Sequence, residues 1–182
     1  PMSKSAAGSV EANLHVLADR FFLIRDNDVL SSPDTSLEDK KEVLEHVESG
    51  IEFVWLGIYD ENGSFLTGSK SCPYSISNRE ILSLMDKTSN LSIEDTTVAS
   101  SGLEILMGVP INYENNLKYY LVGSYQYDVL GDVLGNINIG THGTAFIVNE
   151  SGNVIAHKNL GKVYSQEPIS YSLGDSENSE QV

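Results

Sequence analysis

Any catalysis in this 182-residue chain would have to be built from four histidines, one cysteine and a scatter of carboxylates. His15, His46, His142 and His157 stand far apart, with no His-x-x-x-His or similar metal-ligand spacing. Cys72 precedes Pro73 and has no histidine close to it in sequence to activate a thiolate, and as the single cysteine it cannot close an internal disulfide. Glu94 and Asp95 adjoin in "EDTT", but neighbouring strand residues face opposite ways and so cannot act as a carboxylate pair. No nucleophile elbow, phosphate loop or Gly-rich dinucleotide fingerprint is written in the chain. We therefore expect neither enzyme activity nor a cofactor. A haem- or flavin-binding domain is the competing possibility that an absorbance spectrum separates.

A different chemistry does fit. A small-molecule pocket needs an aromatic or apolar lining with a few converging polar groups. Phe53, Trp55, Gly57 and Tyr59 alternate along one strand and are expected to share a face. Asp95 and Thr97 share a face of another short strand, and Met107 and Tyr125 sit on two later strands. With Tyr74 and Arg79 they make the candidate ligand set: Trp55, Tyr59, Tyr74, Arg79, Asp95, Thr97, Met107 and Tyr125. Arg79 could pair with a ligand carboxylate and Asp95 with an amine. The plainer alternative makes Trp55, Tyr59 and Met107 ordinary core and Arg79 a surface residue of a helix.

The elements that must position these residues follow from periodicity. "SVEANLHVLADRFFLIRDND" carries an apolar stripe, Val10, Leu14, Leu17, Phe21 and Ile24, at helical spacing. The stripe suits packing on a sheet and, in part, against a second copy. "TSLEDKKEVLEHVESG" reads as a second helix, with Thr35 and Glu38 at capping-box spacing and Gly50 at its end. "IEFVWLGIYD" and "SFLTGS" read as strands around an Asp60–Gly63 loop with a left-handed Gly63. Both faces of the first strand are apolar, so it should be central. "SCPYSISNREILSLMDKTSN" is a loop and a helix for which Asn78 is the candidate cap. "LSIEDTTVA", "GLEILMGVPIN" and "LKYYLVGSYQYDVL" are further strands, and "VLGDVLGNI" a short helix. The expected fold is α+β: an antiparallel five-stranded sheet behind a long N-terminal helix. The formal charge of −15 argues against a nucleic-acid or anionic-membrane surface, both of which need basic patches. No stretch approaches the roughly 20 apolar residues of a membrane span.

One short pattern occurs twice: "IYDENGSFL", Ile58 to Leu66, and "IVNESGNVI", Ile147 to Ile155. The interval, about 90 residues, is the size of a small domain rather than of a solenoid repeat. Any two hairpins with this loop length favour Asp or Asn early and Gly late, so the repeat alone decides nothing. Its surroundings add more. "GTHGTAFIVNESGNVIAH", with Gly140, Gly143, Phe146, Ile147, Val148, Asn149, Gly152, Ile155, Ala156 and His157, resembles the opening of the membrane-proximal module of double Cache domains. "MGVPINYENNLKYYLVGSYQYDVLGDVL" resembles the end of the distal module, and "AAGSVEANLHVLADRF" the stalk helix that begins such sensors.

The resemblance implies two PAS-like modules: a stalk helix over residues 1–30, a distal ligand-binding module over 31–137, and the start of a proximal module over 138–182. It implies an extracytoplasmic sensor, usually dimeric through the N-terminal helix, anchored in a bacterial membrane by segments outside this chain. The output would be that of a chemoreceptor, a histidine kinase or a cyclic-dinucleotide enzyme. The ligand would be a small metabolite in the distal module, capped by the loop and helix that carry Tyr74 and Arg79. The amino-acid-binding branch carries Arg-x-Trp-Tyr where this chain has "CPYSISNREI". It also carries an Asp where this chain has Tyr125 or, in another alignment, Asp128. An amino-acid ligand is thereby in doubt. The rival expectation is a protein-interaction or structural PAS-like domain whose cavity its own side chains fill.

Overall fold

A computed structural model of the chain describes residues 2–50, 53–99, 102–113, 116–126, 146–148 and 151–165. Helix α1 (Met2–Arg25) is followed by a single-turn helix α2 (Asp28–Ser31) and by α3 (Leu37–Gly50). Strands β1 (Phe53–Tyr59) and β2 (Phe65–Gly68) form the expected hairpin. Helix α4 (Glu80–Thr88) precedes β3 (Ser92–Ala99), β4 (Gly102–Asn112) and β5 (Lys118–Gln126). The chain closes with a hairpin of β6 (Phe146–Val148) and β7 (Val154–His157), then a short α5 (Leu160–Tyr164). The helix expected over "VLGDVLGNI" lies outside the described residues.

The chain divides into two compact units. One holds residues 18–97 and 104–126; the other holds 1–17, 98–103 and 127–182. The first contains most of a five-stranded sheet in the order β2-β1-β5-β4-β3. β1 is antiparallel to both β2 and β5, and β5 to β4. β1 is thus interior, as its two apolar faces demand. In the second unit β6 pairs with β7, Phe146 opposite His157 and Val148 opposite Val154.

The sheet of the first unit is covered on both sides. On one face lie the C-terminal half of α1 and α3. Phe21 and Ile24 of the expected stripe are buried there, and the Phe21 ring meets that of Phe53 at 6.1 Å. Fully burying side chains of this size is worth about 1.5–3 kcal/mol each. The stretch between α1 and α3 is more than the polar break its composition suggests. Asn27 Oδ1 accepts from Val29 N at 2.9 Å and starts α2. Its carbonyls at Val29, Leu30 and Ser32 then take the buried Lys40 ammonium at 2.9, 2.9 and 2.6 Å. The Tyr113 hydroxyl donates to Leu30 O at 2.8 Å and completes that cage. Burial pushes the Lys40 pKa down and that of Tyr113 up to about 12.

The other face carries residues 69–79 and α4, packed over Trp55, Tyr59, Leu106, Tyr120 and Val122 by Ile76, Ile81 and Met85. Gly108 lets α4 come this close: a Cβ there would sit 2.5 Å from Met85 Sδ. Gly63 occupies the left-handed position expected of it, φ 78°.

Three local expectations need correction. The side-chain cap of α3 comes from Ser36, paired with Asp39, rather than from Thr35 with Glu38. Ser36 Oγ accepts from Asp39 N at 3.1 Å and donates to Asp39 Oδ2 at 2.7 Å. Thr35 and Ser36 are both competent caps, and the register of the helix chooses between them. The N-cap of α4 is Arg79 rather than Asn78, with no cap bond from its own side chain. Finally, the register of β1 on β5 shifts between Phe53 and Trp55. This irregularity turns Phe53 to the α1 face, away from Trp55 and Tyr59.

Candidate functional site

The polar centre of the α4 face is a buried ion-pair cluster. Glu94 lies on β3, Glu104 on β4 and Ser124 on β5, and all three are buried beneath the start of α4. Arg79 Nε donates to Glu94 Oε1 at 2.8 Å, and its Nη1 donates to Glu104 Oε1 at 3.4 Å. Glu104 Oε2 accepts from Ser124 Oγ at 2.6 Å and from Trp55 Nε1 at 3.3 Å. Glu94 Oε2 accepts from Ile81 N at 2.9 Å. The missing side-chain cap of α4 is thus supplied across space by a strand carboxylate, which also suits the positive end of the helix dipole. Two carboxylates against one guanidinium leave the three groups with a formal excess of one negative charge.

Aromatic groups surround the cluster. Trp55 and Tyr59 meet edge-on at 6.3 Å, and Tyr59 meets Phe65 at 5.9 Å. The Tyr59 hydroxyl donates to Pro73 O at 3.0 Å, and burial raises its pKa. Cys72 Sγ donates to Leu56 O at 3.2 Å beneath the same loop, and burial pushes this thiol up as well. At the far end of α4, Asp86 accepts from the Tyr120 hydroxyl and, at 2.9 Å, from Lys118 Nζ. Those bonds hold the Asp86 carboxyl below its usual range.

The eight residues expected at the site separate as follows. Trp55, Tyr59 and Arg79 are brought together on the α4 face. Tyr74 is in the covering loop, but the residue is 90% exposed. Met107 and Tyr125 are buried on the opposite, α1 face. The reason is register. Met107 pairs with Gly123, whose missing Cβ points at Phe21, Phe53 and Leu56, and the Tyr125 ring lies 4.2 Å from that of Phe53. The sheet therefore stands between these two residues and Trp55. Asp95 and Thr97 are on β3, and their side chains lie outside the described residues. Glu94, Glu104 and Ser124 were not among the expected residues. The available signal was a carboxylate at an inward position of an otherwise apolar strand: Glu104 shares its face with Leu106 and Gly108.

On the α1 side, a groove of about 340 Å³ opens between α1 and α3, lined by Arg20, Leu23, Ile24, Asn27, Val43, His46 and Val47. Among the described residues, no group of three His, Cys, Asp or Glu side chains could hold a metal ion. None of the described helices is long and apolar enough to cross a membrane.

No protein-family model and no curated protein matches the sequence. Solved structures do match. An extracellular ligand-binding receptor from Desulfohalobium retbaense superposes with a TM-score of 0.73 at 14% identity, over 89% of this chain and 31% of that one. The ligand-binding domain of the Pseudomonas aeruginosa amino-acid chemoreceptor PctC, in complex with GABA, gives 0.74 at 17% identity, over 88% of this chain and 74% of that one. The ligand-binding domain of Mlp24 with asparagine gives 0.72 at 18%, over 96% and 76%. The fold is that of the Cache-type ligand-binding domains of chemoreceptors. The chain spans about a third of the Desulfohalobium receptor it matches (31%).

Proposed function

We propose that this chain is the extracytoplasmic ligand-binding domain of a bacterial transmembrane signalling receptor. Its ligand is a small metabolite bound on the α4 face of the five-stranded sheet. The observation that carries this reading is the fold: ligand-binding domains solved in complex with GABA and with asparagine share it over 88% and 96% of this chain. The ligand-contacting groups are Trp55, Tyr59 and Arg79 with Glu94 and Glu104; strand alternation from Glu94 leaves Asp95 and Thr97 out of this set. The domain carries no chemistry of its own. It belongs to the sensing end of a chemoreceptor, a histidine kinase or a cyclic-dinucleotide enzyme, anchored by membrane segments outside this chain.

Residues 31–137 act as the distal, ligand-binding module behind the stalk helix, and 138–182 open the proximal one. Dimerisation runs through α1. Leu23 is 75% exposed at the rim of the α1–α3 groove, an apolar surface that a second copy would cover. Sedimentation at high protein concentration tests this, and a strictly monomeric chain removes the seam.

A thermal-shift screen of amino acids, amines and organic acids tests the binding. A ligand that binds only the folded state stabilises it by about 2.7 kcal/mol at a hundred times its Kd. That corresponds to roughly 5–10 °C in Tm for a chain of this size. No shift from a broad panel would favour the interaction-domain alternative.

A further inference from the structure

We propose that Glu104 sets the charge preference of this site, keeping Arg79 engaged inside the protein and turning the site toward cationic ligands. The proposal rests on the sensor reading above and names the ligand class it takes. Arg79 offers the guanidinium expected to receive a ligand carboxylate. Its Nε is already on Glu94 at 2.8 Å and its Nη1 faces Glu104 at 3.4 Å. Glu104 is not a mobile partner that an incoming acid could push aside. Ser124 Oγ and Trp55 Nε1 hold its other oxygen at 2.6 and 3.3 Å, and its side chain is only 5% exposed.

A ligand carboxylate on Arg79 would therefore have to sit beside two buried carboxylates already bonded to the same group. In a low-dielectric setting that like-charge contact is strongly unfavourable. A cation meets the opposite situation. The three groups carry a formal excess of one negative charge, which an ammonium or other singly charged cation balances. The indole of Trp55, held to Glu104 by its own N–H, lies beside the carboxylate that the cation would face. Glu104 acts here through Arg79 and through its own charge, and its effect must appear as selectivity rather than as a general loss of binding.

The test uses three compounds of one chain length and different charge: pentylamine, valerate and 5-aminovalerate. Each is titrated by calorimetry into the intact chain, into Glu104→Gln and into Glu94→Gln. The glutamine at 104 retains an acceptor for Ser124 and Trp55, and the 94 variant releases the other edge of Arg79 should the first fold poorly. We expect the unmodified chain to take pentylamine in preference to 5-aminovalerate and to reject valerate. In either variant the amine should weaken and valerate should gain, each by about tenfold or more. Valerate binding as well as pentylamine to the unmodified chain overturns the proposal. So does a preference that neither variant shifts. Binding of 5-aminovalerate or other amino acids with no preference for the amine leaves the sensor reading standing and removes this one. If no compound of any charge binds in this panel or the metabolite screen, both fall.

Discussion

Replacing Arg79 by methionine removes the only cation bonded to Glu94 and Glu104 among the described residues. Losing one partner of a buried ion pair typically costs 3–5 kcal/mol, because the charge left behind is uncompensated. Two features put this case at the lower end. Arg79 is 22% exposed, so water can replace part of it. Each glutamate also keeps neutral donors: Ile81 N for Glu94, Ser124 Oγ and Trp55 Nε1 for Glu104. The expected loss is about 3 kcal/mol, or roughly 6–12 °C in Tm. Urea unfolding at neutral pH reads it as a lower midpoint with an unchanged slope. The control is the triple variant Arg79→Met, Glu94→Gln, Glu104→Gln, which removes the charges and keeps much of the shape. If buried charge is the cause, the triple variant should be the more stable of the two. A triple variant as unstable as the single one would refute the electrostatic reasoning and make Arg79 a packing residue.

Lys40→Met should cost about 2–4 kcal/mol, because the Val29 and Ser32 carbonyls lose their buried donor while Leu30 O keeps Tyr113. Burial lowers the Lys40 pKa from 10.5, so the unfolded chain binds that proton more tightly than the folded one. The stability advantage of the unmodified protein over this variant should therefore widen as pH rises through the lowered pKa toward 10.5, as denaturant titrations across alkaline pH will show. Cys72 should react with iodoacetamide at least about tenfold more slowly in the native protein than in urea, since burial keeps it a thiol. Gly108→Ala should destabilise by about 1–2 kcal/mol in thermal unfolding, through the contact its Cβ makes with Met85.

Much of the fold was legible because it is written in periodicity. The bulky apolar runs "FVWLGIY" and "KYYLVGSYQ" mark two of the three inner strands, and the four-three spacing of Leu17, Phe21 and Ile24 marks the buried side of α1. What stayed hidden depended on partners distant in sequence. The single turn of α2 is held by Lys40, some ten residues later, and by Tyr113 beyond it. The register shift between Phe53 and Trp55 leaves no mark in composition, yet it moves Phe53 to the other face. The site was half legible for a related reason. Trp55, Tyr59 and Arg79 are residue types that advertise themselves in a pocket. Met107 and Tyr125 looked equivalent until strand register put the sheet between them and Trp55. Glutamates on strands read as solvent-facing, and only the packing of α4 over β3 and β4 reveals Glu94 and Glu104 as the buried pair.

Trp55 is the only tryptophan in the chain, and its indole N–H is bonded to Glu104 at the centre of the proposed site. Excited at wavelengths that tyrosine does not absorb, its fluorescence therefore reports on the site alone. A compound that raises Tm should shift or quench Trp55 emission along a saturable curve, with the midpoint that calorimetry gives for the same compound. A compound that binds and stabilises the protein while leaving Trp55 emission unchanged would contradict the placement of the ligand on the α4 face.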